Sequence, residues 1–250
     1  MEAVKNMFSS PGFWFVVAEV DGRVVGSNGL DERSAIAGVG PITVDPSVQN
    51  KNVGRKLMDA AMERARERGV AGARLVQAAF HNRSLSLYTR LGFDVREPLS
   101  CMQGRALNSS GDGAVEGCAV RAARVGDLGA CNALSRRVHG FERGVELAQA
   151  IGRGSAVVVE RGGRVTGYAS ALAFFGHATA ETNVDLMAMI GSGSGTGEGF
   201  GGPGILVPSR NGELMRWCMA RGLRVVQPMT LMSMGLYNEP AGAWMPSVLF

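Results

Sequence analysis

An α/β (α+β) fold in two halves of similar order is what this sequence predicts, and three observations carry it. Residues 13–30 read as an apolar strand, a tight Asp21-Gly22 turn and a returning strand, which is a hairpin. Residues 42–93 alternate extended and helical patterns in the order strand, polar loop, helix, strand, short helix. The hairpin sequence VAEVDGRVVG at residues 17–26 returns as VVERGGRVTG at residues 158–167, a shift of 141, with a similar order of elements around it.

Composition narrows the function classes. A chain of 250 residues suffices for one large or two small domains, and 46% hydrophobic with 19% charged residues is ordinary globular make-up. A net charge of +4 with 6% aromatics offers no basic surface interleaved with rings, so nucleic acid is not expected as a partner. Cys101, Cys118, Cys131 and Cys218 form no C-x-x-C pair and no His/Cys metal spacing. No metal is expected, and free thiols in a reducing, cytoplasmic compartment fit best, a Cys101–Cys118 bridge being the alternative. The apolar run at residues 13–18 is too short to span a bilayer and lacks a basic leader, so neither membrane anchor nor signal peptide is expected.

In chain order, Ser10-Pro11-Gly12 breaks any early helix. Residues 31–38 read as a polar connection and 39–44 as a strand, which ends because Pro46 cannot donate to a ladder. The polar stretch 49–55 (QNKNVGR) runs straight into a helix whose apolar stripe is Val53, Leu57, Ala61 and Ala65, so its backbone N–H groups lie at a helix N-terminus and can bind phosphate. Gly69 stops this helix. Residues 73–79 read as a buried strand, Asn82 as the cap of a short helix through Leu87, Tyr88 and Leu91, and Gly92 as its end. A strand over 94–103 closes a first domain, 1–105, and the Ser/Gly-rich stretch 106–117 is a linker. The second domain, 118–250, starts with a strand at 118–125, a helix through Leu128, Cys131, Leu134 and Val138, and another helix over 141–151. After the repeated hairpin, residues 191–204 form a flexible Gly/Ser run. A strand at 205–208, a helix at 211–220 resembling a shortened first helix, a strand at 223–229 and an apolar strand at 244–250 complete the chain. His139 and His177 are expected at the surface or as caps.

Strand end with Val44 and Pro46, anion loop, helix, strand, then Asn82, Tyr88 and Leu91-Gly92-Phe93: this order resembles the GCN5-related N-acetyltransferase (GNAT) superfamily. The resemblance implies in each half a mixed, mostly antiparallel twisted sheet with flanking helices. It also implies that acetyl-CoA is the cosubstrate. The family's Q/R-x-x-G-x-G/A loop cradles pyrophosphate; Gln49 matches its first position and Gly54 its last, while Asn52 stands where a Gly is usual. Asn tolerates left-handed backbone better than most residues. The implied cofactor-binding set is Ile42, Thr43, Val44, Gln49, Asn50, Lys51, Asn52, Val53, Gly54, Arg55, Asn82 and Tyr88. Within it, the Val44 main-chain N–H polarises the acetyl carbonyl, and Tyr88 is the general acid for the departing thiolate. A packing role for Tyr88, a plain cap role for Asn82 and solvated positions for Lys51 and Arg55 are the structural alternatives. The general base stays open among Glu19, Asp31, Glu32 and His81. Family members usually begin with a further strand and helix, for which this sequence has no room. Residues 209–212 (SRNG) do not repeat the anion loop, so the second domain is expected to be degenerate, shaping the acceptor cleft or a homodimer contact. The implied activity is acetyl transfer from acetyl-CoA to an amine of a small molecule or peptide by direct attack. A non-catalytic acyl-CoA-binding module is the alternative.

Overall fold

A computed structural model of the chain describes residues 7–8, 10–49, 51–105, 107, 115–193, 200 and 203–249. Strands β1 (Phe13–Val20) and β2 (Arg23–Asp31) form the first hairpin. Asp21 and Gly22 at its tip both have positive φ, 50° and 75°, as a two-residue turn matching strand twist requires. The next extended run is split into β3 (Ile36–Val39) and β4 (Thr43–Val44), with a cis Gly40–Pro41 peptide between. The expected polar connection at 31–38 therefore already contains most of β3, whose four residues are all buried. Helix α1 (Val53–Glu67), β5 (Gly72–Ala78), α2 (Asn82–Arg90) and β6 (Asp94–Gln103) follow.

The second half runs β7 (Cys118–Ala122), α3 (Leu128–His139), α4 (Gly144–Gly152), β8 (Val157–Arg161), β9 (Arg164–Ala169) and β10 (Ala178–Ala180). Then come α5 (Asn183–Gly191), β11 (Ile205–Pro208), α6 (Gly212–Ala220), β12 (Arg224–Gly235) and β13 (Ala243–Met245). The sequence echo is also a structural one. In the first hairpin Val20 faces Arg23 and the register slips between Ala18 and Glu19; in the second, Arg161 faces Arg164 and the slip falls between Val159 and Glu160. Tip and bulge are both displaced by the same 141 positions.

The strands do not keep to the expected division at 106–117. Among the described residues one sheet has the order β1-β2-β3-β5-β12-β6-β11, with β4 attached to β2, and the other β13-β10-β9-β8-β7. Strand β12 thus enters the first half's sheet between β5 and β6, while β6 pairs on its far side with β11. The second half thus gives two strands, β11 and β12, to the first half's sheet, while the other sheet is built from second-half strands alone. All pairs are antiparallel except β3 with β5. The core follows the entry of β12: Leu57, Met58, Ala61, Met62 and Ala65 form the buried stripe of α1, and its cluster with Leu75, Tyr88 and Phe93 includes Met232 from β12. Burying each such large side chain contributes about 1.5–3 kcal/mol.

Sequence reading missed α5 and misassigned its neighbours. Helix α5 follows β10 as α1 follows β4, so the helix at 212–220 holds the place of α2, not that of a shortened first helix. The expected strand over 244–250 is shorter, Ala243–Met245. Most of the Gly/Ser run 191–204 and of the linker lies outside the described residues.

His139 and His177 are buried, at 2% and 1% exposure, not on the surface. Glu146 gathers the Arg143 guanidinium at 2.7 Å and His177 Nδ1 at 3.0 Å, and His177 Nε2 lies 3.2 Å from the Tyr168 hydroxyl. Burial opposes the charge on Glu146, yet Arg143 and His177 hold its carboxyl well below the usual range. Burial first, then Arg143, pushes His177 down. This network underlies the docking of α4 on the first half, where Arg33 donates to Gln149 Oε1 at 2.8 Å and Ile36 packs in one cluster with Phe141 and Trp244. All four cysteines are free thiols.

Candidate active site

Parallel pairing of β3 with β5 covers only Ile36–Gly38 against Gly72–Arg74, after which the chain leaves β5 and pairs as β4 with β2. A wedge opens between residues 39–44 and the end of β5. A cavity of about 610 Å³ occupies it. Alternation along β5 divides its lining: Leu75 packs with α1 and α2, whereas Val76 and Ala78 pack with Phe174 and Val248 on the opposite face.

On the helix side the cavity meets the start of α1. Asn52 stands at its N-cap in left-handed conformation, φ 60°, and its side chain makes no capping hydrogen bond. The first N–H groups of a helix have no intrahelical partner, so here they face the mouth of the cavity with the positive end of the helix dipole. Gln49, Gly54 and Arg55 line this end, and Arg83 reaches across from α2 to Gln49 Oε1 at 3.4 Å.

In the middle of the wedge, Asp45 N–H donates to Val25 O at 2.8 Å. Since N–H directions alternate along a strand, Val44 N–H points away from β2, towards β5. Gln77 enters from β5. It is 5% exposed, and neither its amide nitrogen nor its oxygen has a hydrogen-bond partner in the protein. Burying an amide unpaired costs roughly 1–3 kcal/mol, so this side chain marks a place where a polar ligand belongs.

Tyr88 lines the same space at 5% exposure. Burial raises its pKa and a hydrogen bond with Ser84 partly offsets this, so the phenol is protonated at neutral pH. Ser84 Oγ in turn lies 2.8 Å from Nδ1 of the exposed His81. Tyr88, Ser84 and His81 therefore run from the buried cavity to solvent.

Of the residues expected here, Ile42, Val44, Gln49, Asn52, Val53, Gly54, Arg55 and Tyr88 line the cavity. Thr43 is exposed beside it, its hydroxyl 2.9 Å from Ser27 Oγ. Lys51 is exposed and does not line this cavity, and Asn50 lies outside the described residues. Asn82 is not the cap of α2: the His81 ring takes that place, accepting from Ser84 N–H at 3.4 Å, and Asn82 is exposed off the cavity. Among the base candidates only His81 lines the cavity. Asp31 is paired with Arg33 at 2.5 Å, Glu32 with Arg64 at 2.6 Å, and Glu19 is exposed on β1. Gln77, Ser84 and the wall built by Phe174, Phe175, Val248 and Leu249 were missed. A lone amide in the otherwise apolar run LVQAA was the available signal for Gln77.

The far wall comes from the second half. Phe174 and Phe175 meet edge to face at 5.6 Å, and Val248 N–H donates to Phe174 O at 2.8 Å. The tail reaches β3 because Gly38 has no side chain: a Cβ there would lie 2.0 Å from Leu249 O.

The corresponding place in the second half is built differently. Strand β13 pairs with β10 where the first half leaves its wedge. The start of α5 is closed by a capping box of Thr182 and Asp185, and Asn183 and Asn211 bond each other at 2.7 Å. Among the described residues there is no cluster of three metal-ligating side chains, and no helix is long and apolar enough to cross a membrane.

The wedge, the uncapped helix start and the buried tyrosine all lie in the part of the chain that resembles known proteins. Residues 2–93 match the model of the acetyltransferase (GNAT) family. The uncharacterised N-acetyltransferase YjgM of Escherichia coli is 32% identical over 98 residues, covering 38% of this chain and 59% of YjgM. Mycothiol acetyltransferase of Nocardia farcinica is 35% identical over 63 residues, 25% of this chain and 21% of that enzyme. The chain thus spans 59% of YjgM and 21% of the mycothiol enzyme, less than two thirds of either. The fold of nearly the whole chain recurs in a Pyrococcus horikoshii protein assigned as an acetyltransferase, with TM-score 0.73 at 16% identity over 97% of this chain and 84% of that one. It recurs too in a GCN5-related N-acetyltransferase of Sphaerobacter thermophilus, TM-score 0.59 at 16% identity, covering 95% and 86%.

Proposed function

We propose that the chain transfers an acetyl group from acetyl-CoA to an amine by direct attack, with the first half holding the thioester and the second half walling the acceptor side. The observation that carries this is the buried, unpaired Gln77 amide in a wedge that runs from the uncapped start of α1 to Tyr88. The N–H groups of Val53, Gly54 and Arg55 would hold the pyrophosphate, with Arg55 and Arg83 adding charge. Gln77 would pair with an amide of the pantetheine arm. Val44 N–H would stabilise the carbonyl oxygen as the amine nitrogen bonds to the carbonyl carbon and negative charge grows there. As the carbon–sulfur bond breaks, Tyr88 gives its proton to sulfur, and Ser84 and His81 return one from solvent. The neutral amine loses its own proton to water. The second half supplies surface and not chemistry, since β13 and the Thr182 cap fill its equivalent cleft.

A calorimetric titration of the full chain with acetyl-CoA tests this. One equivalent should bind, and Gln77→Leu should weaken it roughly 5–10-fold for the loss of one hydrogen bond of about 1 kcal/mol. No binding, or two equivalents, would refute the assignment. Binding without thiol release on any amine would instead favour the non-catalytic module.

A further inference from the structure

The acceptor side of the cavity is apolar throughout: Val76, Ala78, Phe174, Phe175, Val248 and Leu249. Among the described residues no Asp or Glu lines any part of it, and its ionisable groups, Arg55, His81, Arg83 and Tyr88, all belong to the helix side. Carboxylates close in sequence or fold are engaged elsewhere: Asp45, next to Val44, with Arg23 and the Ser47 N–H, Asp31 with Arg33, Glu32 with Arg64, and Glu146 with Arg143 and His177. Two consequences follow for an amine. An ammonium ion would be buried against apolar side chains with no counter-ion and with two guanidinium groups beyond. Nor does any carboxylate stand by to strip its proton, and at pH 7 an alkylamine near pKa ~10.4 is neutral in only about 1 molecule in 2,500.

We propose that the acceptor is a primary arylamine, uncharged apart from weak basicity at that nitrogen, whose ring stacks on the Phe174–Phe175 pair. This rests on the acetyl-transfer reading above and adds the acceptor class to it. Such an amine is already neutral when it reaches the cavity and costs nothing in lost ion solvation. The half-buried Phe174 and Phe175, edge to face at 5.6 Å, offer a ring both a face and an edge at the right distance for aromatic packing. A polyamine or a lysine side chain meets the opposite conditions on both counts.

The experiment follows CoA thiol release by the full chain at saturating acetyl-CoA with 4-ethylaniline, 2-phenylethylamine and spermidine, beside a binding titration with acetyl-CoA. The expected order of kcat/KM at pH 7 has the arylamine at least tenfold above phenylethylamine, with spermidine inactive. The arylamine rate should be level between pH 6.5 and 8.5, while that of phenylethylamine should climb about tenfold per pH unit as its neutral form grows. Phe175→Glu, which places a carboxylate on the acceptor wall, should lower the ratio of arylamine to phenylethylamine activity at least fivefold; a ratio unchanged in a variant melting like the native chain counts against the proposal. Preference for spermidine or phenylethylamine at pH 7 overturns the arylamine assignment and leaves acetyl transfer standing. Bound acetyl-CoA with no reaction of 4-ethylaniline overturns it as well. Failure to bind acetyl-CoA removes both readings.

Discussion

Replacing Gly54 by Val separates the anion-binding role of the α1 start from its structural role. A Cβ at this position would lie 3.7 Å from Leu87 Cδ2 and from Val44 Cγ2, which is ordinary van der Waals spacing, so the fold accepts the branch point. Its two methyl groups then project into the cavity that Gly54 lines. Valine is a slightly better helix residue than glycine, by about 0.3–0.5 kcal/mol, so stability should hold or rise a little. Binding should suffer according to how many N–H groups a phosphate can no longer reach. Displacing it from two of them, at about 1.5–3 kcal/mol each for charged partners, predicts roughly 10²–10⁴-fold weaker acetyl-CoA affinity. Calorimetry gives the affinity and a thermal melt the stability. Affinity within threefold of the native value, in a variant with unchanged melting temperature, would refute the reasoning.

Tyr88→Phe keeps the buried ring, so folding and acetyl-CoA affinity should change little while turnover falls about 10²–10⁴-fold; equal turnover in the Phe variant, with stability lost in Tyr88→Ala, would leave Tyr88 a packing residue. Ser84→Ala, which cuts the path to His81 without touching the phenol ring, should lower turnover less than Tyr88→Phe does, and an effect larger than that of Tyr88→Phe would exclude the relay. Stability should fall on mild acidification, because burial, then Arg143, depresses both His139 and His177 in the folded chain. Their folded values lie below the unfolded one near 6.5, so the unfolded chain binds more protons as pH drops below that value. The loss should reach about 1.4 kcal/mol per pH unit for each histidine, and a melting temperature level from pH 7.5 to 5.5 would contradict it.

Local signals carried most of the first half. The hairpin at Asp21-Gly22, the apolar stripe of α1 and the Leu91-Gly92-Phe93 unit are short-range patterns whose partners lie within a few residues, so the cavity's helix side could be read directly. What escaped depends on distance. Helix α5 has no polar face: Leu186, Met187, Ala188, Met189 and Ile190 are all buried, so no period appears, although Thr182 and Asp185 carry a legible capping box. His81 displaced Asn82 as cap because an imidazole nitrogen can accept the same N–H, a competition that residue preference alone does not decide. Nothing local tells Phe174 or Leu249 that they face Val76, and the partners of β12 lie more than a hundred residues upstream. The buried histidines escaped for the same reason, since their environment is assembled from α3, α4 and β10 together.

The entry of β11 and β12 into the first half's sheet also governs when the site can exist during synthesis. Until β12 emerges, β5 has an open edge along Gly72–Ala78, the strand that carries Gln77, and β6 has neither of its neighbours. About 150 residues separate the end of β5 from the start of β12. At roughly 5–20 residues per second of translation, that edge waits about 7–30 s on the ribosome for its partner. The wedge is therefore completed only once β12 and the residues near Val248 have been made, and a nascent chain halted in the linker would present an unpaired, apolar strand edge of the kind that seeks other chains.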